Sequence, residues 1–472
     1  MRPRGGSSAV GRKPLASGLG TPDAPAPGMN HHRPHAYALL FGLSLAAACT
    51  STEPLDPQLD PVTADCNDGD KPGCVVASSK QRVLAPSVAP GDQTALVSGN
   101  SAFALDLYQQ VKDKPGNVFY SPFSISMALA MTWAGARGDT ETAMASALHF
   151  DLPQDKLHPA FNWIDLELES RGQGASGSDG QGFRLNVVNA LWGQAGYGFE
   201  APFLDTLALN YGAGMHVVNF QGDPAGSAGI INDWVKTSTE EKIPELVPVE
   251  AIQADTVLIL TNAIYFNAAW KEPFEVGSTQ DGSFEKADGS TITVPMMSGF
   301  RETRYAEGAG FQAVEIPYDG DQLSMLIVLP EAGSLAAFES SFNAAKLDAV
   351  LGSMTEHLVD IKMPKFKIEY DLGLKKALEA MGMAVAFQSG PADFTGINAA
   401  GRPYIQEVLH KAFVSVNEAG TEAAAATAVI VGDESAPMPA SITLDRTFLF
   451  LIRDNPTGSV LFAGRVADPG AQ

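Results

Sequence analysis

The residues from Asn417 to Val431 carry the most specific pattern in this chain. They read Asn417-Glu418-Ala419-Gly420-Thr421-Glu422-Ala423-Ala424-Ala425-Ala426-Thr427-Ala428-Val429-Ile430-Val431, small and nearly uncharged, with no proline before Pro437. At period two, one face holds Thr421, Ala423, Ala425, Thr427, Val429 and Val431. The other face holds Glu422, the only charge between Gly420 and Val431. Such a ribbon can form a strand with one face buried and tightly packed, and Gly420 gives its root backbone freedom. The competing reading is an Ala-rich helix, favoured by helix propensity and opposed by the β-branched Val429-Ile430-Val431 end. Group-transfer chemistry has less material to draw on. After the leader the histidines are His149, His158, His216, His357 and His410, and there is no Gly-x-Ser-x-Gly elbow, His-Glu-x-x-His pair or phosphate-binding glycine loop. An enzyme is therefore not expected. Three cysteines and eight histidines leave little for a metal cage, so neither a metal nor another cofactor is expected.

The elements that must position this ribbon are legible as periods. Phe103, Leu107 and Val111 fall on one helical stripe within Ala102–Val111. Ser124 is expected to cap a helix through Ala134, with Gly135 at its end. Further helices are expected from Asp139-Thr140 to Leu148 and from about Ser227 to Thr239. Thr256–Phe266 is apolar enough for a strand buried on both faces. Gln322–Leu329, Leu358–Lys367 and Glu407–Asn417 are further strands, and Thr447–Arg453 and Ser459–Val466 flank a turn at Asn455-Pro456-Thr457-Gly458. Helices and many strands without strict alternation indicate an α+β fold.

The chain has 472 residues, of which 45% are hydrophobic and 18% charged, enough for a sizeable core. Its formal charge is −23, which disfavours nucleic acid as a partner. The first residues read as an address. Met29 opens a short basic and His-containing stretch, followed by an apolar run from Ala36 to Ala48 that has the size of a signal-peptide core. Either Met1 or Met29 is the start. Cys49 resembles the lipidated cysteine of bacterial lipoprotein signals, which would attach the chain to a membrane; plain secretory cleavage near Ala48 is the other reading. Both export the protein. Loss of residues 1–48 removes five basic and one acidic residue and takes the charge from −23 to −27. Residues 1–49 are thus a leader. Residues 50–98, rich in Pro, Asp, Ser and Gly, read as a disordered tether. Within the tether, Cys66 and Cys74 either close a small disulfide loop or stay free. Residues 99–472 form one domain.

The ribbon resembles the hinge and reactive loop of the serpins, the loop-insertion serine protease inhibitors. The likeness extends across the domain. Asn117-Val118-Phe119-Tyr120-Ser121-Pro122-Phe123-Ser124-Ile125-Ser126, Gly135-Ala136-Arg137-Gly138-Asp139-Thr140, Asn262-Ala263-Ile264-Tyr265-Phe266 with Trp270 and Pro273-Phe274, and Val408-Leu409-His410-Lys411-Ala412 follow in the family's order. Asp445-Arg446-Thr447-Phe448-Leu449-Phe450 and Gly458-Ser459-Val460-Leu461-Phe462-Ala463-Gly464-Arg465 resemble its C-terminal signature.

The resemblance implies a large mixed central sheet, further sheets, about eight to nine helices and an exposed loop at about 418–440. It also implies a monomer whose partner is a target serine protease. That protease cleaves the loop, forms an acyl-enzyme and is trapped as the loop enters the sheet. A non-inhibitory serpin acting as a carrier is the alternative, but small residues from Thr421 to Thr427 favour an inhibitor. Ala419, where many inhibitors carry a charge, is expected to need no burial. The hinge comprises Glu418, Gly420, Thr421, Glu422, Ala423, Ala424, Ala425 and Ala426. Counting Glu418 as first, the seventeenth residue is Glu434, so the reactive bond is Glu434–Ser435, with Asp433, Val431 and Met438 as alternative bait residues. Ser121, Ser124, Asn262 and His410 correspond to the shutter under the central strands, although His410 also reads as a satisfied core histidine. Trp270, with Glu418, corresponds to the breach where insertion begins, although Trp270 also reads as plain core.

Overall fold

A computed structural model describes residues 73–421 and 439–471. Two sheets organise these residues. The central sheet has the order β1 (Val75–Val76), β4 (Met215–Val218), β3 (Arg184–Gln194), β5 (Leu258–Ala269), β13 (Gly420–Thr421), β12 (Glu407–Asn417) and β11 (Phe366–Gly373). The second runs β14 (Ala440–Thr443), β10 (Thr355–Pro364), β7 (Thr291–Gly308), β8 (Phe311–Pro317), β9 (Leu323–Pro330), β15 (Phe448–Asp454), β16 (Val460–Val466) and β2 (Val118–Tyr120), with β6 (Gln280–Glu285) paired to β7. The main helices are α1 (Pro90–Val111), α2 (Pro122–Trp133), α3 (Gly138–Leu148), α4 (Gln154–Glu169), α5 (Ala201–Tyr211) and α6 (Pro224–Ser238). This is the α+β class.

β5 shows why its sequence is apolar throughout. Leu258, Leu260, Ile264 and Phe266 enter the main core, shared with α1, α2 and the second sheet. Ile259 and Ala263 enter a smaller core shared with Trp192 and with Ile231 and Val235 of α6. A strand covered on both faces keeps no polar alternation. Asn262, Asn267 and Thr261, fully buried in this apolar run, each find hydrogen-bond partners.

Several expectations shift. The helix after Tyr120 is capped by Ser121, not Ser124: the Ser121 hydroxyl accepts from the Ser124 N–H, and Pro122 takes the first helical position, where its missing N–H costs nothing. The expected strand over 358–367 is two strands in different sheets, β10 and β11, parted at Pro364-Lys365.

The expected tether over 50–98 is corrected for its described part, residues 73–98. α1 begins at Pro90, and β1 lies antiparallel on the outer edge of the central sheet, with Val75 opposite His216 and Val76 opposite Met215. The Val217 N–H donates to the Cys74 carbonyl at 2.9 Å. Arg82 bonds Asn162 at 2.8 Å, Glu169 at 2.8 Å and Asp165 at 2.5 Å, and the Val83 N–H donates to the Leu209 carbonyl at 2.9 Å. These are contacts to distant residues through single side chains and a two-residue strand, which produce no local period. The helix-poor Gly91, Ser98, Gly99 and Asn100 likewise mask the first half of α1.

Candidate functional site

β12 ends at Asn417, turns through Glu418-Ala419 and re-enters the sheet as β13. Gly420 and Thr421 pair antiparallel with both neighbours, Gly420 opposite Asn417 and Ala269, Thr421 opposite Val416 and Ala268. Lower down no strand intervenes: β12 and β5 pair directly and in parallel, from Glu407 opposite Ile259 to Ala412 opposite Ile264. The residue at the re-entry must be glycine. Gly420 has φ +150°, and a Cβ there would lie 2.2 Å from the Ala268 carbonyl oxygen.

The re-entry point is tightly held. Thr421 is fully buried; its hydroxyl shares a 2.9 Å hydrogen bond with the Tyr318 phenol, and its carbonyl accepts from the Ser178 hydroxyl at 2.6 Å. Tyr318 stacks on Trp270 with centroids 4.6 Å apart. The Trp270 indole N–H donates to the Asn417 carbonyl and its backbone N–H to the Ala419 carbonyl, both at 2.9 Å. The Phe274 N–H donates to the Glu418 carbonyl at 2.8 Å. The Glu418 carboxylate accepts from Thr279 at 2.7 Å and from the Lys365 ammonium at 3.1 and 3.2 Å. Burial pushes this carboxyl up, but Thr279 and Lys365 prevail and hold it below its ordinary value. Ala419 departs from expectation: it is buried, in a turn whose Glu418 and Ala419 carbonyls accept from the backbone N–H groups of Phe274 and Trp270.

Further along β12 and β5 lies a buried polar cluster. His410 of β12 accepts the Ser121 N–H on Nε2 at 3.1 Å, which places its proton on Nδ1, where it donates to Asn262 Oδ1. The Asn262 amide donates to Ser124 Oγ and to Asn189 Oδ1. Ser124 Oγ donates to Asn189 Oδ1 at 2.9 Å, and the Ser121 hydroxyl donates to the Leu461 carbonyl at 2.7 Å. Burial pulls the His410 imidazole down to about 3, so it is neutral near pH 7. The network ties α2 to β3, β5, β12 and β16, directly beneath the seam where β5 meets β12.

The structure thus brings Ser121, Ser124, Asn262 and His410 into one cluster, and Trp270, Glu418, Gly420 and Thr421 into another. Glu422, Ala423, Ala424, Ala425, Ala426, Glu434 and Ser435 lie outside the described residues, as do Cys49 and Cys66. Cys74 is disulfide-bonded, to a partner outside the described residues. Sequence reasoning missed Asn189, Ser178, Thr279, Tyr318 and Lys365. Each meets its partner across a long sequence separation, and no local spacing marks it. Among the described residues, no group of three or more His, Cys, Asp or Glu could hold a metal ion, and no helix is long and apolar enough to cross a membrane.

Comparison with known proteins agrees with this geometry. A family model described as Serpin (serine protease inhibitor) matches residues 98–469. Leukocyte elastase inhibitor A of Rattus norvegicus is 38% identical over 385 residues, 79% of this chain and 99% of that protein. The crystal structure of the thermophilic serpin tengpin in its native state covers 84% of this chain and 99% of its own, with a TM-score of 0.73 and 27% identity. Human thyroxine-binding globulin covers 80% of this chain and all of its own, with a TM-score of 0.72 and 28% identity. A family match over most of the chain, on a fold that carries the Gly420–Thr421 strand and buried cluster described above, makes this protein a member of the serpin family.

Proposed function

We propose that this protein inhibits a serine protease and is consumed in doing so. The observation that carries the reading is Gly420-Thr421 seated between β5 and β12, above a seam where those strands pair in parallel. A strand added there runs antiparallel to both neighbours. It replaces one slanted parallel ladder with two antiparallel ones, the slightly more stable pairing per residue. Continuing the register of β13 sets Ala423 opposite Val414 and Phe266, Ala425 opposite Ala412 and Ile264, and Thr427 opposite His410 and Asn262. The His410–Asn262 contact must therefore part, and a threonine hydroxyl arrives between two polar partners. About fifteen added residues at ~3.3 Å each span ~50 Å, the length of a domain.

The chemistry belongs to the protease. Its serine oxygen adds to the carbonyl carbon of Glu434. The bond to the Ser435 nitrogen breaks, that nitrogen leaves as an amine with a proton from the protease, and Glu434 remains as an ester. The two sides of the cut then separate. The Ser435 side is held by β14, in register with β10 from Val359–Ala440 to Lys362–Thr443. The ester side is free to follow the hinge into the sheet. Glu434 suits a protease with a basic specificity pocket.

The export reading belongs to this proposal. The disulfide at Cys74 supports an oxidising compartment, and Cys49 would add a membrane anchor if lipidated.

The test is a panel of serine proteases of differing specificity. An SDS-stable protein–protease species and a released peptide beginning at Ser435 are expected. A first residue of Glu434, Gly432 or Pro439 moves the bait to Asp433, Val431 or Met438. Cleavage with no covalent species and no rise in Tm would instead leave a carrier.

A further inference from the structure

The loop between α4 and β3, Gly172–Gly182, reaches the hinge. It is a short hairpin: Ser176 bridges to Gly182, the Gly177 N–H donates to the Gln181 carbonyl at 2.6 Å, and the Gly180 N–H donates to the Gly177 carbonyl at 3.1 Å. It is seated at several points. Arg171 at its base bonds Asp454 at 2.7 Å, the Gly172 N–H donates to Gln322 at 2.9 Å, and the Ser176 N–H donates to Asp319 at 2.8 Å. The Ala269 N–H donates back to the Ser176 carbonyl at 3.0 Å. The tip approaches so closely that a Cβ on Gly177 would lie 2.7 Å from Asn267 Oδ1. The tip residue, Ser178, is 2% exposed. Its N–H donates to Asn267 Oδ1 at 2.8 Å, and its hydroxyl donates to the Thr421 carbonyl at 2.6 Å.

The geometry points to Ser178 as a positioning residue for insertion: its hydroxyl fixes the first rung of the incoming strand, so that the ribbon extends from a formed start. This rests on the inhibitor reading above. Strand addition is limited by its first contacts, which order several residues for few bonds. Thr421 is held by Tyr318 through its side chain and by Ser178 through its backbone, so its position is set before the loop is cut. Thr421 need not move as the residues after it fill the seam. Ser178 therefore acts as an anchor and not as a catch that must release.

The test compares Ser178→Ala with Gly182→Ala. Gly182 lies in the same loop, and a Cβ there meets nothing within 4 Å. Amide hydrogen exchange at Gly420 and Thr421 is measured in the uncleaved protein. Ser178→Ala is expected to speed exchange there about five- to tenfold, the ratio that one buried hydrogen bond supports, and Gly182→Ala to leave it unchanged. With a protease that the wild type traps, Ser178→Ala should be cut at the wild-type rate, while the share of cuts that end in turnover rises about fivefold. Unchanged exchange in Ser178→Ala would overturn the assignment. Equal loosening in both variants would also overturn it, since the loop as a whole would then be responsible. If the wild type traps no protease, the inhibitor reading fails while the exchange measurement still decides whether Ser178 anchors the hinge.

Discussion

Replacing Thr421 with arginine tests the proposed insertion step. Thr421 is fully buried, and its side chain faces the Tyr318 phenol, itself buried and stacked on Trp270. A guanidinium placed there would be buried facing the Tyr318 phenol, and no carboxylate is among the hydrogen-bond partners of Thr421. An unpaired buried charge costs about 3–5 kcal/mol, more than the ~1 kcal/mol of the hydrogen bond it displaces. The hinge of Thr421→Arg should therefore sit outside the sheet. If that cost lies in the barrier to insertion, the step slows by about 10²–10⁴. Hydrolysis of the ester then wins, and the variant should be cleaved as a plain substrate. The assay is the yield of SDS-stable species per cleavage, with Thr421→Ser as a control that keeps the hydroxyl. Cleavage should raise the Tm of the control and leave that of Thr421→Arg nearly unchanged. Wild-type trapping by Thr421→Arg would refute insertion through this entrance.

Three further outcomes are expected. Gly420→Ala puts a methyl 2.2 Å from the Ala268 carbonyl oxygen, so the hinge must withdraw and trapping yield should fall while the loop stays cleavable; unchanged yield would contradict the re-entry geometry. His158 and His410 are both pulled by burial to about 3 from an ordinary 6.5. The unfolded chain therefore binds their protons first, and the stability they confer is complete above pH 6.5 and declines as pH falls toward 3. That amounts to ~2 kcal/mol for each by pH 5. His158→Phe should flatten the fall of Tm between pH 6.5 and 4.5, and an identical slope would count against the assignment. Glu434→Arg should redirect inhibition to proteases that cut after basic residues, and an unchanged target preference would show that the bait residue lies elsewhere.

The sequence-legible part of this molecule is the part with period or order. Glu407–Asn417 is a strand at the limits its alternation indicates, and β5 is a doubly covered strand because its apolar run says so. The hinge and the buried cluster were legible only through resemblance. Small residues at period two also suit a helix, and a buried histidine carries no mark of its partners. Ser178 was illegible in either way. Its proposed role comes from a glycine-rich loop whose composition reads as slack chain, yet which is pinned by Asn267 of β5 and by Asp319 and Gln322 of the turn between β8 and β9. Tyr318 and Lys365 carry no local mark in the sequence; the fold sets them beside Thr421 and Glu418.

The two residues of β1 also bear on how the protein should be produced. A version trimmed to the family's boundary at Ser98 would cut α1 partway along and strip the margin beside Met215–Val218. The amide of Val217, now satisfied by the carbonyl of Cys74, would face solvent on a bare flank, where it can recruit a strand from another molecule. If the central sheet admits one of the chain's own segments, as proposed, a bare edge would open the same sheet to strands of other molecules at its side. Val75 and Val76 are, in this chain, the hem of that sheet edge.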